Sequence, residues 1–197
     1  MIRAGLLLSA ALLGGCLATT RQAPTAAGEW AAFAPAQWNC RFQVVKQLST
    51  ERDGQRREIT ALAQVDAERV RLVAVSPVGV TLFELLQAAD GSLELRNRLP
   101  LREGFDPRWV LRDFQQLHAP AAVLRESQGP GWQLQQDDAR GRRILRDGQA
   151  SVSIRYGEGG SRGQINHLVN HEFGYTLSAR TLDFTAPDTP GCARVIR

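Results

Sequence analysis

Trp38-Asn39-Cys40-Arg41-Phe42-Gln43-Val44, the pair Asp53-Gly54 and the run RREITALAQV at 56–65 decide the fold. In the first segment Trp38, Cys40, Phe42 and Val44 alternate with Asn39, Arg41 and Gln43. In the last, Ile59, Ala61, Ala63 and Val65 recur at every second position. A period of two places successive side chains on opposite faces of a strand, so each segment has one apolar and one polar face. Asp-Gly tolerates the positive φ angles of a tight hairpin turn, so the two segments are predicted to pair antiparallel.

Downstream the same rhythm continues through Arg69–Val75, Val78–Leu86 and Ser92–Leu99, with turns at Ser76-Pro77, closely followed by Gly79, and at Asp90-Gly91. The middle of the chain breaks it. Asp106-Pro107 sets a capping carboxylate before a proline suited to the first helical position, and Trp109, Val110, Phe114 and Leu117 follow at near-helical intervals. Pro120 can start a second helix carrying Ala121, Val123 and Leu124, which Gly129-Pro130-Gly131 stops. Strands are predicted again at 132–136, 143–146, 150–156, 164–169 and 175–182, with turns at Asp147-Gly148 and at Gly157 to Gly160. This reads as about ten strands with one helical interruption and no internal repeat. A sheet with one apolar face must curl to bury it. The predicted class is mainly β with α: a curled antiparallel sheet, an incomplete barrel, closed by a short helical plug. Such an object is a container.

Upstream, Met1-Ile2-Arg3 precedes an apolar run, and residues 1–15 read as a secretory signal peptide too short to span a bilayer. Leu13-Gly14-Gly15-Cys16 resembles the lipobox of bacterial lipoproteins, in which the cysteine sulfur receives diacylglycerol and the chain is cut before it. Cys16 is therefore the expected lipid attachment site, with an acylated (palmitate-type) anchor, against the alternative of a chance cysteine in an ordinary signal. Leu17, where aspartate resembles a retention signal, favours the periplasmic face of the outer membrane. Residues 16–35 are read as the lipidated N-terminus and tether, with a short helical turn at Glu29–Phe33, and 36–197 as one domain.

The formal net charge is +4, and of 24 basic residues all but Lys46 are arginine. They are scattered rather than gathered in a stripe, and no reader motif is present, so a nucleic-acid partner is not expected. Cys40 and Cys192 remain after lipidation, in a compartment where disulfides persist. A bridge between them would contribute about 2–4 kcal/mol; two free buried thiols are the alternative.

The blocks GFDPRWVLRDFQQLHAPAAVLRE, GPGWQLQ, RRILRDGQASVSIRYG and HEFGYTLSARTLDF, in that order, resemble a family of small proteobacterial lipoproteins of unassigned function, themselves similar to the lipoprotein receptor LolB and its periplasmic partner LolA. The similarity covers residues 36–184. It implies a LolA/LolB-like incomplete barrel whose apolar cavity takes acyl chains, with acyl, aryl-polyene-type lipid or lipoprotein cargo and a periplasmic carrier as partner. It also implies an apolar residue on an exposed, membrane-facing loop, for which Val78 stands in a comparable stretch. His118-Ala119-Pro120 departs from the aromatic residue that related sequences more often carry before the proline.

Candidate cavity-lining residues are Trp109, Val110, Phe114, Leu117, Leu124 and Trp132 from the plug region, with Phe42, Leu82, Ile154 and Tyr156 from strands. Singly, each is equally an ordinary core residue. His167 and His171 share a strand face without a local third ligand, so no metal is expected. Gly157 to Gly163 lacks the lysine–hydroxyl pair of a phosphate loop, and no cofactor is expected. Asp113, Asp137 and Asp138 accompany no nucleophile in a catalytic elbow, Arg112-Asp113 reads as solvated helix charges, and Arg146-Asp147-Gly148 as a turn. The sequence thus points to a non-enzymatic, outer-membrane-anchored lipoprotein with an apolar cavity for lipid or lipoprotein. The alternative is a scaffold lipoprotein with a filled core that holds envelope partners.

Overall fold

The computed structural model describes residues 20–22, 30, 32–99, 106–127, 129–138, 140–158 and 165–186. Eleven strands form one sheet: β1 (Thr20–Gln22), β2 (Phe42–Arg52), β3 (Gln55–Val65), β4 (Arg69–Val75), β5 (Thr81–Ala88), β6 (Leu93–Asn97), β7 (Trp132–Asp137), β8 (Gly141–Arg146), β9 (Gln149–Arg155), β10 (Ile165–Asn170) and β11 (Tyr175–Thr185). Two helices, α1 (Arg108–His118) and α2 (Ala121–Ser127), interrupt it. The order across the sheet is β1-β6-β5-β4-β3-β2-β11-β10-β9-β8-β7, and every pair is antiparallel. Among the described residues no pairing joins β1 to β7, so the barrel is incomplete.

Two Asp-Gly pairs make the tightest turns. Asp53 and Gly54 have φ of 51° and 69°, and Asp147 and Gly148 have φ of 51° and 78°, the paired positive values that match the twist of hairpin strands. The 53–54 turn sets the register of the long β2–β3 hairpin, in which Val44 faces Ala63 and Lys46 faces Ala61.

Several boundaries differ from the sequence reading. Asn39 adopts a left-handed conformation (φ 49°, ψ 32°), so residues 35–38 form a 3-10 turn and β2 starts at Phe42, not at Trp38. The turn expected at 29–33 falls partly outside the described residues. Gly79, at φ 83°, closes a turn with the Ser76 carbonyl, so β5 begins at Thr81 instead of Val78. Within the expected tether, Thr20–Gln22 pairs with Leu93–Leu95 as an edge strand, and Trp30 and Phe33 are buried core residues. The signal peptide and Cys16 lie outside the described residues. Cys40 is buried and disulfide-bonded; Cys192, the partner expected for it, also lies outside them.

The concave face is filled at the end where β2 starts and β3 ends. Trp38 touches Phe33, Phe42 and Phe114 at ring separations of 5.2, 5.4 and 5.5 Å, and Trp30 meets Trp132 edge-on at 5.2 Å. Buried amides pin this segment: Gln87 and Gln115 both donate to the Phe33 carbonyl, at 3.0 and 3.2 Å.

Helix α1 lies across the concave face. Asp106 Oδ1 accepts from the Arg108 amide at 2.9 Å, and Pro107 is already helical (φ −57°), so the carboxylate and proline act as the sequence predicts. At the other end Ala119 is extended before Pro120 (ψ 148°), the conformation a following proline favours. The last carbonyls of α1 are met by buried Arg142 of β8. Its Nη1 donates to Gln116 O at 2.7 Å and Nη2 to Ala119 O at 2.8 Å, while Nε donates to Asp137 Oδ1 at 2.7 Å. A cation there satisfies groups that a helix leaves unpaired and complements its dipole. Arg142→Leu should strand two buried carbonyls and lower the unfolding free energy by about 2–4 kcal/mol, read from urea denaturation; an unchanged midpoint would contradict this clamp.

Candidate functional site

Beyond the aromatic end the concavity is not filled. A cavity of about 820 Å³ lies between α1 and the sheet. Interiors pack with few voids larger than a water molecule, and this volume falls within the range of ligand sites. Its walls come from alternate residues of β2 (Val44, Lys46, Leu48, Thr50, Arg52) and β3 (Ala63, Ala61, Ile59, Arg57, Gln55), from Tyr175 and Leu177 of β11, and from Trp109, Val110, Asp113, Phe114, Leu117 and His118 of α1. The β2 residues span eight positions, roughly 27 Å at about 3.4 Å per residue, so the cavity is elongated along the hairpin.

Register fixes where it opens. The β2–β3 turn at 53–54, the β4–β5 turn at 76–80, the end of β6 and the β10–β11 turn at 171–174 all lie at one end of the sheet. Leu82, Leu99 and Phe173 line the mouth with Arg52, Arg57 and Trp109. Trp109 stacks on Phe173 at 4.9 Å, and the Arg112 guanidinium lies 4.7 Å from the centre of the same Phe173 ring.

Inside the mouth, Asp113, Tyr175, His118 and Lys46 interrupt the apolar wall. Asp113 is buried, with Oδ2 accepting from the Tyr175 hydroxyl at 2.6 Å. Burial pushes its carboxyl up to about 6 against the pull of Arg112 and of this hydrogen bond. Burial raises Tyr175 as well, and the adjoining Asp113 carboxylate adds to that. His118 is buried, and among the described residues neither ring nitrogen has a hydrogen-bond partner; burial, then the charges of Lys46 and Arg142, hold it well below the usual histidine value. Lys46 is 4% exposed, donates to Thr181 Oγ1 at 2.8 Å, and is lowered by burial to about 8.

Of the sequence-predicted lining residues, Leu82, Trp109, Val110, Phe114 and Leu117 border the cavity. Phe42, Leu124, Trp132 and Ile154 do not: they are buried against other side chains, because the aromatic end and α2 already cover the part of the sheet they face. Tyr156 is also outside the wall; its hydroxyl donates to the Leu117 carbonyl at 3.3 Å, bracing α1 from behind. Arg112-Asp113 is not a solvated pair, since α1 turns both inward, with side chains 11% and 10% exposed. Val78 is 85% exposed on the β4–β5 turn, at the mouth end. His167 and His171 are exposed and bonded to Ser178 and Ser153. Among the described residues no three His, Cys, Asp or Glu side chains gather as a metal site, and no helix is long and apolar enough to cross a membrane. The sequence reading missed Lys46, His118 and Asp113 as cavity groups. For Lys46 the signal was there, since alternation from Phe42 and Val44 carries position 46 to the same face.

Residues 43–183 match the model of a family described as protein of unknown function (DUF3261). No curated protein matches the chain in sequence. Among solved structures the chain is similar to a LolA superfamily protein from Nitrosomonas europaea, at 12% identity over 80% of this chain and 90% of that one, with a TM-score of 0.41. It is also similar to a putative outer membrane lipoprotein-sorting protein domain from Vibrio parahaemolyticus, at 7% identity over 76% of this chain and 86% of that one, with a TM-score of 0.43.

Because burial favours the neutral acid, the folded chain binds a proton at Asp113 between pH 3.8 and about 6 that the unfolded chain lacks. The stability this gives is complete below the lower value and is lost as pH rises through the upper one. Asp113→Asn keeps an acceptor for Tyr175, so it should raise the unfolding free energy by about 1–3 kcal/mol at pH 7.5 and change it little at pH 3.5. An equal effect at both pH values would contradict the buried, proton-binding carboxyl.

Proposed function

We propose a function for a chain that belongs to the DUF3261 family of proteins of unknown function: it is a lipid-anchored envelope lipoprotein that holds acyl chains in its apolar cavity. The observation carrying this reading is the cavity itself, about 820 Å³ walled mainly by aliphatic and aromatic side chains between α1 and the β2–β3 hairpin. Transfer of acyl surface from water contributes about 25 cal/mol per Å², or about 0.8 kcal/mol per methylene. No bond chemistry is required. The scaffold alternative calls for a concavity filled throughout, and here only one end is filled.

Anchoring through Cys16 at the outer membrane gives the cavity an orientation. β1 runs antiparallel to β6, with Thr20 opposite Leu95 and Gln22 opposite Leu93, so the chain enters the sheet from the side of the mouth. Only residues 17–19 separate Cys16 from β1, a reach of about 14 Å at most. Val78, Val80 and Leu99 are exposed apolar residues at that same end. The mouth therefore faces the bilayer, with Val78 as the membrane-facing tip, and acyl cargo passes between cavity and membrane or a soluble periplasmic carrier.

The test is native mass spectrometry and lipid extraction on the mature chain with Cys16→Ser, exported through a general secretory signal. A stoichiometric acyl or polyene ligand is the expected result. Ala61→Trp, which fills the cavity from β3, should abolish it while leaving the fold intact by circular dichroism. A homogeneous empty protein that also refuses labelled fatty-acyl probes would overturn the reading. Val78→Asp should leave binding in solution unchanged and slow acyl transfer to vesicles by about tenfold, since it removes apolar contact and places a charge at the bilayer; an unchanged rate would remove this loop from the membrane contact.

A further inference from the structure

The chemistry of the cargo's head group can be read from the cavity wall, if the acyl-cavity reading holds. Lys46 is the chain's only lysine among 24 basic residues. Lysine is among the residues least often fully buried, yet this one lies on the cavity face of β2, 4% exposed. Its ammonium has three donors, and Thr181 Oγ1 accepts one of them at 2.8 Å. Among the described residues no carboxylate lies within ion-pair distance of it. An unpaired buried cation costs several kcal/mol unless something of opposite charge completes it, and an apolar side chain would serve better if position 46 were only part of a core.

A second group points to the same place. His118 faces the cavity from α1, 3% exposed, and among the described residues both its ring nitrogens lack a partner. Lys46 and His118 are close enough for the one's charge to depress the other's basicity. A neutral imidazole carries one N–H donor and one acceptor, so it can donate to an anion that Lys46 holds. In the register of the hairpin Lys46 lies two residues from Val44, the innermost β2 residue of the wall, with Leu48, Thr50 and Arg52 continuing outward. Roughly 20 Å of mainly apolar wall, at about 3.4 Å per residue, separates it from the mouth.

We propose that Lys46, with His118 donating beside it, receives the carboxylate of a single-chain, long-chain acid that enters head first and leaves its tail along the β2–β3 wall. The cargo is then a free acid. Acyl groups esterified or amidated to a glyceride or a lipoprotein carry no such charge, so they are not what this pair is built to hold.

The experiment compares palmitate with hexadecanol, which share a chain and differ in the head, by direct binding to the mature Cys16→Ser protein and to the same protein with Lys46→Met. A charge-assisted hydrogen bond makes the expected preference of the wild-type cavity for palmitate about 10- to 100-fold. In Lys46→Met the preference should collapse toward unity with hexadecanol binding retained, and the thermal midpoint should be equal to or above that of the parent. Lys46→Arg, which keeps a cation, should retain a preference. Equal binding of the two ligands by the wild-type cavity, or an undiminished preference in Lys46→Met, would overturn the head-group assignment and leave the acyl cavity standing. Binding of neither ligand by the wild-type cavity would overturn the acyl-cavity reading, and the assignment with it. The wild-type comparison is independent of how the variants fold.

Discussion

An antiparallel sheet with one apolar face has to cover that face, and the rest of this molecule follows from how it does so. The strands from β2 to β11 present alternate apolar residues to the concave side, and two covers are available. The segment leading into β2 supplies Trp30, Phe33 and Trp38, which meet Phe42, Phe114 and Trp132 and fill one end. Helix α1 spans the other end and is held by Arg142, whose guanidinium takes the helix's last carbonyls while bonding Asp137 on the neighbouring strand. A helix fixed at its C-terminal end and stacked through Trp109 on Phe173 at the other cannot settle fully onto the sheet. The space left beneath it is the cavity.

The strands were legible because their signals are local. Period-two alternation and the Asp-Gly turns locate the β2–β3, β5–β6 and β8–β9 pairings, and Asp106-Pro107 with Ala119-Pro120 brackets α1. The errors have a common source in tertiary context. Asn39 looks like the polar face of a strand, but its left-handed backbone ends a 3-10 turn. The stretch around Trp30 is rich in small residues and reads as tether, yet buried Gln87 and Gln115 bind the Phe33 carbonyl and draw it into the core. Among the candidate lining residues, local pattern gives the apolar face of Ile154 and Leu82 alike; only the placement of the covers decides that the first is packed and the second borders a void. Asp113 reads as a surface charge on α1 until Tyr175, 62 residues away in sequence, is seen to donate to it.

The cavity is held at a cost to stability. Burial opposes the charged forms of Lys46 and Asp113 and keeps His118 neutral. Asp113 is partly compensated by Tyr175, whereas Lys46 has one hydroxyl and His118 has nothing within the described residues. A wall optimised only for folding would carry aliphatic side chains at 46 and 118. Polar groups left under-satisfied beside an open apolar space are more economically explained by a ligand than by packing. The arrangement also separates roles along the hairpin: charge near the inner end, aliphatic wall between, and exposed Val78 and Leu99 at the rim.

The most direct test of an open, ligand-accepting cavity is crystallographic. Crystals of the mature Cys16→Ser protein grown with a fatty acid bearing bromine near the middle of its chain should give one anomalous peak between Ile59 of β3 and Trp109 of α1, inside the mouth. Peaks confined to the molecular surface, or a cavity closed by inward movement of α1 with no bromine bound, would contradict the account.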